Sequence, residues 1–244
     1  MRVARWAAVM LAFGTVVAAE PARSVDAIVA DYVAARGGLA KIRSVQTLRQ
    51  KGRAFGEGGR QAVVQRELKR PGKIRFEFTV QGVTGVYVSD GGKGWMVSPF
   101  EGDMEAKPLP EEAIADAMEQ ADFEGPLVDW KAKGHKAEWA GRETVAGREA
   151  DKIKLTLASG TVRYESIDVK THALLRTETT RKLGNRTVRV EAVFGDHKKT
   201  NGLLFPRSVE VGAVDRPQRL RIVVDSIEVN PPIDDARFRR TTAP

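Results

Sequence analysis

The side chains able to do chemistry in this 244-residue chain are few and scattered. His135, His172 and His197 stand singly, whereas a metal seat built on imidazoles needs a pair at fixed spacing, so they read as strand-surface residues. Acyl transfer needs an activated nucleophile with a base in reach, and no Gly-x-Ser-x-Gly turn is present. There is no cysteine, which excludes disulfides, thiol catalysis, thiolate metal sites and a lipid-modified N-terminal cysteine. Glu101, Asp103 and Glu105 alternate and would suit a hard cation, although one solvated side of an extended segment explains them equally. Asp90-Gly91-Gly92-Lys93-Gly94 lacks the Gly-Lys-Ser/Thr order of a phosphate loop and reads as a hairpin turn. No catalytic set, metal or cofactor is therefore expected, and the function should be non-enzymatic.

Basic residues crowd one stretch: Arg176, Arg181, Lys182, Arg186, Arg189, Lys198 and Lys199. A solvated sheet face accounts for them; an anionic membrane surface or lipid headgroup is the partner such a patch would attract. Nucleic acid is another partner such a patch could attract, but the export signal described below argues against it and none is expected.

The chemistry that remains is apolar. Phe76, Phe78, Trp95, Phe100, Phe123, Leu127 and Trp130 exceed what one flat sheet facing water can hide, so a helix and loop must share them. Two outcomes follow: a filled core, or a concave sheet left partly unfilled beneath a movable lid, which would take an acyl chain. In the second, Ile74, Phe76, Phe78, Val80 and Trp95 line the cavity while Phe123, Leu127 and Trp130 sit on the lid.

The elements that position these residues are mostly strands. Residues 73–81 are the clearest, with Ile74, Phe76, Phe78 and Val80 on one face and Lys73, Arg75, Glu77 and Thr79 on the other. Similar alternation marks 48–55, 61–68, 85–89, 94–97, 135–139, 148–157, 161–169, 173–183 and 187–194. Asn201-Gly202 predicts a tight turn into a return strand through Val209 and Val211, and a last strand covers 219–229. The sum is about eleven antiparallel strands at hairpin spacing, a barrel or half-barrel. Ser24 caps a helix that stops at Gly37-Gly38, with a short second turn over 39–43. Residues 99–133 break the pattern as a helix-and-loop insertion. Pro110 opens its helix, and Ile114, Ala117, Met118 and Ala121 give that helix an apolar face. Residues 234–244 read as a loosely held end.

Arg2 and Arg5, the apolar run 6–17 and Ala18-Ala19 have the layout of a secretory signal peptide cleaved after Ala19. Its loss lowers the net charge from +8 to +6 and leaves residues 20–244 as a single domain in a bacterial periplasm.

Five stretches resemble those of LolA-like outer-membrane lipoprotein-sorting proteins, as a divergent branch. They are residues 32–39 (YVAARGGL), 90–95 (DGGKGW), 120–129 (QADFEGPLVD), 194–206 (FGDHKKTNGLLFP) and 227–234 (IEVNPPID). The resemblance implies an unclosed, strongly curved antiparallel barrel whose concave face is covered by the N-terminal and inserted helices. It also implies a carrier or chaperone for a lipid, acyl chain or lipidated protein, passing cargo between membranes or to an inner- or outer-membrane partner protein. A LolA-like sensor that binds a partner protein in the envelope is the alternative.

Overall fold

The computed structural model describes residues 23–183 and 186–240, the side chains of residues 101, 103, 182 and 183 excepted. The signal segment lies outside the described residues. One antiparallel sheet of thirteen strands dominates. Its first half comprises β1 (Thr47–Phe55), β2 (Gln61–Lys69), β3 (Lys73–Val80), β4 (Val83–Ser89), β5 (Gly94–Ser98) and β6 (Asp103–Pro108). Its second half comprises β7 (Lys136–Val145), β8 (Arg148–Thr156), β9 (Val162–Asp168), β10 (Leu174–Leu183), β11 (Arg186–Gly195), β14 (Ser208–Ala213) and β15 (Leu220–Val229). A separate ribbon pairs β12 (Lys198–Thr200) with β13 (Leu203–Phe205). The helices are α1 (Val25–Ala35), α2 (Leu39–Arg43) and α3 (Glu111–Ala121).

The spatial order is β6-β5-β4-β3-β2-β1-β15-β14-β11-β10-β9-β8-β7, with β6 and β7 as free edges, so the barrel is unclosed. Its curvature follows from what α3 touches. The Tyr87 hydroxyl on β4 donates to the Ala113 carbonyl of α3, and Asp116, one turn along, pairs with Arg181 on β10. Seven interstrand steps separate β4 from β10, about 34 Å if the sheet were flat. Three helical residues rise only about 4.5 Å, so the sheet must curl until its two halves face each other. Register shifts at Lys51/Gly52, Leu174/Arg176, Trp139/Arg142 and Met96/Ser98 supply bends of the kind that β-bulges give.

Alternation divides the two faces by chemistry. The concave face carries Val64, Phe76 and Phe78 in the first half and Ile153, Leu155 and Ile167 in the second. α1 seals the second half: Ile28, Val29 and Tyr32 bury against Ile153, Leu155 and Ile167. α3 seals part of the first, setting Ala117 and Ala121 on Leu48, Leu68 and Ile74. The convex face instead carries ladders of ion pairs. Glu67 accepts from Arg49 and Arg237, both at 2.8 Å, and Glu143 accepts from Arg176 at 2.6 Å and Lys152 at 3.2 Å.

Four expectations need correction. Asn201-Gly202, with φ of 51° and 75°, does form a tight turn, but it closes the satellite ribbon and the return strand of the main sheet begins afterwards at Ser208. Leu203 leaves the sheet because it buries against Ile42 and Val45 beside α2. Within the insertion, residues 103–108 form an edge strand; the acid alternation there is strand period. Met118 is 47% exposed, since it lies about 100° around the helix from Ala117. The chain end is held down to residue 240: Phe238 is 1% exposed, and Arg237 spans Glu67 and Glu77.

Candidate apolar site on the concave face

The structure gathers Ile74, Phe76, Phe78 and Val80 on the concave side of β3 and brings Phe123 to the cluster around Ile74, but it places Trp95, Leu127 and Trp130 elsewhere. Ile74 is covered by α3. Phe76 and Phe78 are half-buried, with ring centroids 6.2 Å apart, and Phe78 continues at 5.4 Å to Phe100, itself 46% exposed. Gly85 permits this row, because a Cβ there would lie 2.3 Å from the Phe78 ring. Trp95 pairs with Val88, which puts it on the convex face among Val86, Val88, Ile233 and Phe238. Gly94-Trp95-Met96-Val97 is apolar on both sides, so its sequence does not choose a face.

Phe123 follows α3 and lines the enclosed end of the concave face, under the Arg70 guanidinium at 5.2 Å. Leu127 and Trp130 pack with α1 against β8. Arg36 donates to the carbonyls of Phe123 and Glu124, Arg43 pairs with Asp129, and Lys133 pairs with Asp122 at 2.6 Å. The loop is therefore a strap, whereas α3 is tied to the sheet by Tyr87, Arg66, Arg181 and Arg163.

Between the strap, α2, β13 and strands β1 and β2 lies a cavity of about 180 Å³ lined by Leu48, Leu68, Phe123 and Phe205 together with Gln50 and Arg66. Sequence reasoning missed Arg66. It sits on β2 at a concave position opposite Phe76 and donates to the Gln120 carbonyl at 2.5 Å. Its Nε is buried with no partner, and burial pulls its guanidinium down to about 10. The available signal was Val64-Gln65-Arg66-Glu67-Leu68, where alternation places the arginine among the apolar positions. Farther along this face, burial raises the Glu165 carboxyl against the pull of Arg163, which pairs with it at 2.6 Å and also reaches Glu119 of α3 at 3.3 Å.

The basic stretch does not form one patch. Arg176 and Arg189 are neutralised on the convex face by Glu143 and Glu178, Arg181 turns inward to Asp116, and Lys198 pairs with Asp196 beyond the end of β11. Lys182 falls outside the described side chains, as do Glu101 and Asp103. Among the described residues no three His, Asp or Glu side chains cluster as a metal site.

An open, curled antiparallel sheet, apolar inside and covered there by helices, defines the LolA-like fold, and this chain has it. Three solved structures carry the same fold over nearly their whole length. A DUF1329 family protein from Desulfovibrio piger has TM-score 0.60 at 14% identity, covering 88% of this chain and 97% of that one. A putative outer membrane lipoprotein-sorting protein domain from Vibrio parahaemolyticus has 0.59 at 10%, with the same 88% and 97% coverage. A LolA superfamily protein from Nitrosomonas europaea has 0.57 at 9%, covering 90% and 99%. No family model matches the sequence, and no curated protein does.

Proposed function

We propose that the protein is a non-enzymatic carrier in the periplasm, sheltering a lipid, an acyl chain or the acyl group of a lipidated protein on its concave face. The observation that supports this is an excess of apolar inner surface over the helices available to cover it. α1 and α3 seal parts of the two halves, while Phe76 and Phe78 stay half-buried and Phe100 stays exposed beside Phe78. The cavity of about 180 Å³ is below the roughly 300 Å³ at which small-molecule sites begin, so a long chain needs α3 to lift. Lifting must break the packing of Ala117 and Ala121, the hydrogen bonds from Tyr87 and Arg66 to the carbonyls of Ala113 and Gln120 and two part-exposed ion pairs of about 1 kcal/mol or less each. Burying ten methylenes returns about 8 kcal/mol. The signal-like N terminus and the fold shared with a lipoprotein-sorting domain support work in the envelope.

Native mass spectrometry of the mature protein purified from its own cells tests the proposal. A co-purifying lipid that is lost when Phe76 and Phe78 are both changed to Asp in a folded variant supports it. An apolar face empty of lipid with a bound polypeptide instead would replace the carrier with the partner-binding module.

A further inference from the structure

Arg66 is a cation held where its environment offers no anion. Its guanidinium makes one hydrogen bond, to the Gln120 carbonyl, and its Nε is buried without a partner. A buried charge is ordinarily paired, and an unpaired one is expensive to hold. Two other charges stand in the wall of the same cavity. Arg36 is committed to the carbonyls of Phe123 and Glu124, and Asp122 is engaged by Lys133 and by the Glu124 N–H at 3.0 Å. The rest of the wall is apolar apart from Gln50 and Gln120.

We propose that the cavity beside Arg66 is a subsite for the carboxylate of a long-chain fatty acid, with the hydrocarbon running out along Phe76 and Phe78. This rests on the carrier reading and narrows its cargo to an anionic amphiphile. The space of about 180 Å³ admits a carboxylate and the first part of a chain. Phe76 stands directly opposite Arg66 in the β2–β3 register, so the tail meets the aromatic row at once. The guest's carboxylate pairs with the guanidinium at the cavity wall, a turn of the Arg66 side chain brings its enclosed Nε–H into reach, and the ion pair that the fold leaves unmade is restored.

The test is isothermal titration of the mature protein with palmitate and with hexadecanol at pH 8, below their micellar concentrations. Palmitate should bind about tenfold tighter or better, the effect of one charge-assisted hydrogen bond. Arg66→Gln should bring the two ligands within about twofold, and Arg66→Lys should keep part of the preference. Equal binding by the wild-type protein, a result that needs no variant to fold, overturns the carboxylate subsite and leaves the carrier standing. So does a preference that survives in a folded Arg66→Gln variant, or tighter binding of lysophosphatidate than of palmitate. If neither ligand binds, the carrier reading falls and this inference with it.

Discussion

Asp116 on α3 and Arg181 on β10 form an ion pair across the mouth of the curled sheet. Burial raises the Asp116 carboxyl, and Arg181 only partly offsets this. The carboxylate is therefore held at a cost that the arginine reduces. Arg181→Ala should lower stability by about 1 kcal/mol, whereas Asp116→Asn should be close to neutral at pH 7. The sign for pH is the same: a raised folded-state value makes this group's contribution more favourable below its ordinary range and less so as pH rises through it. Urea midpoints of the two variants at pH 7 check the asymmetry.

Glu67 behaves in the opposite sense. Its burial alone would raise it, but hydrogen bonds from Arg49 and Arg237 prevail and hold it below the usual glutamate range. It is 1% exposed. Its contribution is present above the ordinary glutamate value of about 4.3 and is lost as pH falls below it. Glu67→Gln should cost about 3 kcal/mol at pH 7, the scale for breaking a buried pair. It should also flatten the acid limb of the stability curve, measured by denaturation at pH 7 and pH 3.5.

Gly85 and Phe78 are coupled by contact. Gly85→Ala drives its methyl group into the Phe78 ring and should cost about 1–3 kcal/mol. Adding Phe78→Ala should remove much of that penalty, leaving a coupling on the order of 1 kcal/mol in a double-mutant cycle.

Arg36 holds the strap through two carbonyls and lies against Tyr32 at 5.3 Å. Arg36→Ala should cost about 2 kcal/mol. Amides over 122–128 should exchange faster while those of β3 stay protected. Uniform acceleration across the sheet would show that the strap is no separate unit.

What the sequence made legible was local. The cap at Ser24, the positive φ at Asn201 and Gly202 and the two-residue period of β3 each depend on neighbours in the chain, and each is where alternation and turn chemistry place it. Fold class followed from adding such pieces. The candidate site was legible only where one face was unambiguous. Ile74, Phe76, Phe78 and Val80 fall together because charged residues mark the other side of β3. Trp95 does not, since both sides of β5 are apolar and the choice is made by Phe238, more than 140 residues away. Leu127 and Trp130 were assigned to the right loop and the wrong cover, because α1, far upstream in the sequence, packs on them. Arg66 was legible from alternation, which sets it between Val64 and Leu68 on the apolar face, but its lack of an anion partner depends on residues distant in the chain.

The arrangement of β1 also sets an order of assembly. Leu48 pairs with Val229, and β2, β3 and β4 obtain part of their outer lining from Arg237 and Phe238. A ribosome therefore delivers this half-sheet long before the residues that complete it, and such distant pairing is slow to form. Until β15 arrives, β1 keeps an unpaired edge that any extended segment could occupy.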